Sequence, residues 1–326
     1  MLHITNGDAA VHVVPNAGIA GSLLPWRDVL HDGPVPGGAD PRGLREIRAR
    51  FIADCGWDEY PRVLADFERR DAALEAARKE DELVLWFEHD LYDQLQLIQV
   101  LDRVSAWPHP QPPVSLICDR EYLGSSAPDR IGRRFEERRG LPPGALAFAR
   151  TAWAAFTSPD PTAVTALAGD SDGTLPFVAA AFRRALEEYP SRRNGLSRSE
   201  SQILAALAGG PRAPGDLFRA AHHDVEDPVF LGDAVFAIYA RRLACCSEPA
   251  LLPEDGGPIE PQGREEPPGP FWTRPVRLTD FGRALLDGRE DWVATNGLDR
   301  WLGGVHLSGR RTRWRWDEEK RALVGP

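Results

Sequence analysis

Lysine is almost missing from this sequence. Only Lys79 and Lys320 carry it, and arginine supplies nearly all the cationic charge. Even so, 39 basic residues fall short of 49 acidic ones, which leaves a formal charge of −10. Phosphate neutralisation needs a basic surface, so this balance argues against a non-specific nucleic-acid binder. Cysteine is scarce too: Cys55, Cys118, Cys245 and Cys246 are the four. None stands in a C-x-x-C spacing, and adjacent cysteines bridge each other poorly. That excludes the usual zinc motifs and points to reduced thiols in a cytosolic protein. No apolar run approaches the roughly 18 residues that a membrane-spanning helix needs, and no basic-then-apolar leader opens the chain. The expected setting is the cytoplasm, without membrane contact. Phosphate-cradling glycine motifs, G-x-x-x-x-G-K-[ST] and G-x-G-x-x-G, are absent as well.

What is there begins with Asp81–Val104. An apolar run, Leu83–Phe87, suits a buried strand. It breaks into Glu88, His89, Asp90 and Asp93, and Leu91, Leu95, Ile98 and Leu101 then recur at helical spacing. A strand feeding a helix with ionisable groups at the turn is where open α/β sheets place ligand sites. Upstream, Met1–Thr5 reads as a strand, Ala9–Val14 as a short helix capped by Asp8, and Ser22–Trp26 as a second strand. Two amphipathic helices follow, marked by Leu44, Ile47 and Phe51 and by Val63, Leu64 and Phe67. The charged tract Glu68–Glu82 reads as a solvated face. Val114–Ile117 is one more short strand, ending in Cys118-Asp119. In a parallel sheet the ends at Asp8, Asp28, Glu88–Asp93 and Asp119 would share one edge.

The 326 residues suffice for more than one domain. Residues 1–142 are expected to form a Rossmann-like α/β domain, 143–194 a helical connector, and 195–326 a winged helix-turn-helix-like domain. The best linker is Tyr189–Gly195, with proline and glycine around polar residues. Ser197 opens a capping box with Glu200. Helices over Pro214–Ala221 and Gly232–Ala244 precede a proline-rich tongue at Glu248–Pro270, a β-like stretch at Phe271–Leu278 and a helix at Thr279–Leu286. The tail from Trp301 to Trp316 reads as one hairpin packing tryptophans. Gly232–Ala244 is apolar in its middle, with Arg241 and Arg242 only at its end, which disfavours nucleic acid as a partner. The Arg310–Trp316 tract is the one basic, aromatic patch. His222 and His223 are expected at the surface.

Carboxylates converging with a histidine suit a divalent metal as candidate cofactor, oxygens favouring Mg²⁺ or Mn²⁺ and imidazole Zn²⁺ or Fe²⁺. They also suit acid–base catalysis, with the His89 pKa raised by Glu88 and Asp90. Asp28, His89, Asp90 and Asp93 are the candidate catalytic residues. Asn6, Gly7, Asp8, Trp26, Arg27, His31, Glu88, Gln94 and Asp119 are the candidate ligand-binding residues. A plainer reading stands beside this one. Asp8 and Asp90 occupy positions where helix N-caps belong, and His31-Asp32-Gly33-Pro34 has the composition of a turn.

Three motifs carry a resemblance: Leu2–Asp8 (LHITNGD), Leu24–Pro34 (LPWRDVLHDGP) and Trp86–Gln94 (WFEHDLYDQ). Together they resemble the uncharacterised bacterial family called domain of unknown function 1835, over roughly the first 120 residues. The C-terminal part is similar to what usually follows in such proteins. The resemblance transfers no activity, but it puts the motifs at the strand ends named above. Two functions are therefore expected as alternatives. One is an enzyme, a hydrolase or transferase, acting on a small polar or nucleotide-like ligand. The other is a ligand-sensing regulator whose C-terminal part binds DNA, a partner protein or a second copy of the chain.

Overall fold

Alternation at period two builds the central strands. In β4 (Leu83–Glu88), Leu83, Leu85 and Phe87 join one buried cluster, and Val84 and Trp86 join another on the opposite face. A strand apolar on both faces belongs inside a sheet covered on both sides. The computed structural model, which describes all residues but 9, 170–172, 258, 260–271, 273 and 326, places it so. β1 (Leu2–Thr5), β2 (Ser22–Pro25), β4 and β5 (Val114–Asp119) run parallel in the order β2-β1-β4-β5, and a two-residue strand, Arg139–Gly140, adds an antiparallel edge. The fold is mixed α/β, with a five-stranded, mostly parallel sheet.

One sheet face is covered by α1 (Val13–Asn16) and by Ile131 of a helix at Pro128–Glu136. Against the other lies α4 (Leu91–Ser105), with α2 (Pro41–Asp54) and α3 (Tyr60–Ala76) beyond β2. The helices of the expected connector do not stand apart. Ala145–Thr157 and Val178–Leu186 pack directly on α4.

Several expectations give way. The first helix starts at Val13, not Ala9, and Asp8 does not cap it: His12 precedes it, and Asp8 pairs with Arg27. The tract Glu68–Glu82 is not simply solvated. Arg70 and Asp71 are buried, Arg70 lies over the Trp26 ring, and Asp71 takes Arg45, Arg70 and Arg103. The linker is tied down as well. Asn194 donates to the Leu285 carbonyl and accepts from Trp292 N–H, and Ser191 bridges to Trp316. Finally, the tail makes two hairpins, Leu298–Gly303 with Val305–Gly309 and Arg315–Asp317 with Ala322–Val324. The first of these also pairs, in parallel, with Gly33–Pro34.

In the C-terminal part, helices at Arg198–Ala206, Pro214–Phe218 and Asp233–Ala244 precede an antiparallel pair, Leu251–Pro253 with Val276–Leu278, and a helix at Asp280–Leu286. The capping box of Ser197 and Glu200 is present. Most of the expected tongue lies outside the described residues. Among the described residues no helix is long and apolar enough to cross a membrane.

Candidate functional site

The chain leaves β1 for β2 on one side and returns to β4 on the other, so the strand order reverses between β1 and β4. Crevices in open α/β sheets form outside the carboxyl ends of strands at such a switch point. Here Asn6 follows β1, and Glu88 ends β4. The polypeptide then turns through His89 and Asp90 into α4, with Asp90 in extended conformation accepting from Asp93 N–H at 3.1 Å. Asp90 is thus both a helix cap and a neighbour of two other acids. Asp93 accepts from Glu88 N–H at 2.6 Å and from the Asn6 amide at 3.0 Å. Glu88 accepts from Leu123 N–H, and Gln94 donates to the Glu88 carbonyl, both at 2.6 Å. Glu88, Asp90 and Asp93 each offer a carboxylate oxygen within 4.8 Å of the others, and all three are buried.

Three carboxyl groups so close in a dry place cannot all ionise easily. Burial raises all three, and mutual repulsion adds to it: Asp90 is pushed up to about 7, Asp93 well above its ordinary value, and Glu88 upward with relief from Leu123 N–H and Asn6. Among the described residues none of the three takes part in an ion pair with arginine or lysine. Their donors are neutral: backbone N–H groups and one amide.

Beside this cluster, a cleft of about 830 Å³ opens over the ends of β1 and β2, with Asn6, Gly7, Asp8, Arg27, Asp28 and Tyr92 on its floor side. Trp57, Val63 and Phe67 give it apolar walls, Arg69 and Arg70 add cations, and Asp233, the first residue of the helix Asp233–Ala244, also lines it. Its size and mixed lining suit a small organic ligand. Asn6 belongs to both features, since it lines the cleft and donates to Asp93.

No family model and no curated protein matches this chain. Its site is therefore read from its own side chains.

Of the residues singled out from sequence, Asn6, Glu88, Asp90, Asp93 and Gln94 are brought together. Gly7, with φ of +69° and the Tyr92 hydroxyl 3.3 Å from where a Cβ would stand, gives the backbone a turn few other residues could make. Asp28 borders the cleft, but its Oδ1 is held by Arg48 at 2.8 and 3.0 Å, with both side chains about 1% exposed. Trp26 is a core residue, its indole donating to Gln99 at 2.7 Å. Asp119 lies opposite Glu88 in register and pairs with Arg134. His31 is wedged between the Tyr92 and Phe230 rings with neither ring nitrogen bonded, and burial pushes it down to about 4. His89 rests against Tyr122 and Phe177. The expectation that its acidic neighbours raise its pKa fails: burial, then Arg120, lowers it, so its imidazole is neutral near pH 7.

Tyr92, Trp57, Arg69, Arg70 and Asp233 of the cleft are not among the candidates that the sequence points to. Only Tyr92, set between Asp90 and Asp93, carried a local signal. His222 was expected at the surface and is buried, its Nε2 accepting from Phe230 N–H at 3.2 Å and Leu231 N–H at 2.8 Å. It thereby holds the segment that roofs the strand ends, where Phe230 meets His31 and the Val229 carbonyl accepts from Tyr122. Gly169–Gly173 spells G-x-S-x-G, but it follows a helix, Thr162–Gly169, where a nucleophile elbow follows a strand. Its middle three residues lie outside the described ones.

Proposed function

We propose that the α/β part of this protein binds a small polar or nucleotide-like ligand at the carboxyl ends of its strands and acts on it as a hydrolase or transferase. The observation that carries this reading is the meeting of Glu88, Asp90 and Asp93 at the switch point, next to a cleft that shares Asn6 with them. Asp90, pushed up to about 7, has the proton affinity of a group that can both take and give a proton near neutral pH. Metal-assisted chemistry uses the same oxygens in another way. A Rossmann-like description of the sheet, the resemblance to domain of unknown function 1835 and a cytoplasmic setting all fit this reading. The last accords with four unbridged thiols.

The test is a thermal-shift screen of the full chain against nucleoside phosphates and sugar phosphates. A true ligand raises the midpoint with the logarithm of its concentration, by the equivalent of about 2.7 kcal/mol at a hundred times its Kd. Arg27→Ala, at an exposed position, should abolish the rise and leave the unliganded midpoint in place. A panel without a concentration-dependent hit, or a hit indifferent to Arg27→Ala, would count against the proposal.

A second reading is favoured by the order of elements from Arg198 to Leu286. Among the described residues it puts helices Arg198–Ala206, Pro214–Phe218 (continued by a helical turn to His223) and Asp233–Ala244 before a strand pair and a helix, as in a winged helix-turn-helix. Such a module would make the protein a ligand-sensing regulator. Its central helix, Asp233–Ala244, buries Val235, Phe236, Tyr239 and Leu243 and commits Arg242 to Asp32, so we favour a protein partner over DNA. Retention of the full chain on DNA across a salt series decides between them, since binding to phosphates must weaken as salt rises.

A further inference from the structure

We infer that Glu88, Asp90 and Asp93, together with Asn6, form a binding site for one hard divalent cation of the Mg²⁺ or Mn²⁺ kind. The inference deepens the reading above by naming a cofactor for the same strand ends. It does not depend on which organic ligand the cleft takes.

Relative exposures of 5%, 3% and 1% put the three carboxyl groups out of water, and no cationic side chain pairs with them among the described residues. Buried charge is normally paired or bound to metal. Other buried acids follow that rule: Asp28 has Arg48, Asp71 has three arginines, and Glu188 has Arg184 and Arg300. Among the described residues Glu200 is buried without a cation too, but it stands alone in its capping box, whereas Glu88, Asp90 and Asp93 gather three such carboxyl groups in one place.

A second observation points the same way. Asn6 is 93% buried, from its 7% exposure, and its amide reaches into the cluster through Nδ2, which donates to Asp93. Its Oδ1, also buried, has no donor. An amide oxygen is a good ligand for a hard cation, and a flip of the amide about its Cβ–Cγ bond would turn Oδ1 toward the cluster, the cation replacing the hydrogen bond to Asp93. Each carboxylate oxygen keeps lone-pair capacity after accepting its one N–H. Oxygens within 4.8 Å of one another can close on an ion that binds at about 2.0–2.6 Å. An all-oxygen set selects Mg²⁺, Mn²⁺ or Ca²⁺ over softer metals. The neighbouring His89 does not belong to the set, since its ring packs against Tyr122 and Phe177.

The full chain, stripped with chelator, should be titrated with Mn²⁺ while electron paramagnetic resonance counts the free ion. The expected result is one ion per chain, displaced by Mg²⁺, with a higher thermal midpoint in either metal. Asp90→Asn keeps a competent helix cap and should weaken Mn²⁺ at least about tenfold. Glu88→Gln should do the same, and Glu136→Gln, an exposed acid elsewhere, should change nothing. Two results would overturn the inference: no Mn²⁺ bound by the wild-type chain at millimolar concentration, or binding unchanged in both Asp90→Asn and Glu88→Gln. If either variant fails to fold, the wild-type titration alone still decides. Should Mn²⁺ fail while a nucleoside or sugar phosphate still binds in the screen, the cation falls and the cleft reading stands.

Discussion

At the residue scale, the structure separates acids that look alike in the sequence. Asp8, Asp28, Asp90 and Asp119 all follow strands, yet Asp8 and Asp119 pair with nearby arginines, Asp28 is sealed against Arg48, and Asp90 faces other acids. Breaking a buried pair leaves one charge stranded. Asp28→Ala should therefore cost about 3–5 kcal/mol in urea unfolding, whereas Asp8→Ala should cost at most about 1 kcal/mol. The buried histidines make a second prediction. Burial pushes His222 down to about 3, with Arg184 and His223 adding to the effect, and His31 down to about 4. Below an unfolded pKa near 6.5 the unfolded chain binds protons that the folded one refuses. The stability these two histidines contribute should thus be full above pH 6.5 and be lost as pH drops toward 4, against an opposite trend from Asp90, Asp93 and Glu88, whose raised pKa values let the folded chain take up protons there. In His222→Gln, which retains an acceptor but cannot titrate, stability relative to wild type should rise as pH drops from 6.5 toward 4; a difference that does not change with pH would remove His222 from the account. None of this pairing was legible in the sequence. Arg48 lies 20 residues from Asp28, and its helix reads as ordinary amphipathic repeat. Nor does His222 differ in local pattern from the exposed His223.

At the scale of elements, the strands were legible and their partners were not. Leu83–Phe87 and Val114–Ile117 are apolar runs bounded by polar residues, and the site follows from them because the polar side chains at Glu88 and Asp119 close the two strands. Gly33–Pro34 offers no such signal: two residues make no periodicity, and its partner strand lies at the far end of the chain. Its anchoring depends on close backbone approach. Gly304 N–H donates to the Phe156 carbonyl at 3.0 Å, Gly37 N–H to Thr157 at 2.7 Å, and Val35 N–H to Gly303 at 2.9 Å. A Cβ on Gly304 would stand 1.8 Å from the Thr157 carbonyl oxygen, a backbone atom that cannot swing aside. Gly304→Ala should therefore destabilise by about 1–3 kcal/mol. Hydrogen exchange should accelerate first at Gly37 and Val35. Exchange that quickens only in the hairpin itself would contradict this coupling.

On the scale of the whole molecule, the parts named from sequence are laced together by charge as well as by strands. Arg300 donates to Glu188 and to the Tyr239 hydroxyl, and Arg242 donates to Asp32. Burial alone would raise Asp32, but Arg242 and Arg300 outweigh it and hold the carboxyl below its ordinary range. These bonds join the turn after β2, the segment just past the helix Val178–Leu186, the helix Asp233–Ala244 and the tail. Calorimetry should accordingly show one unfolding transition, and Arg300→Ala should lower its midpoint without splitting it. Two separate transitions would mean that the parts fold independently. The pairing of Gly33–Pro34 with Leu298–Gly303 also bears on synthesis. Domains tend to fold as they emerge from the ribosome, N-terminal first. Here the turn that carries His31 and Asp32 must wait, unpaired, until Leu298–Gly303 has been translated.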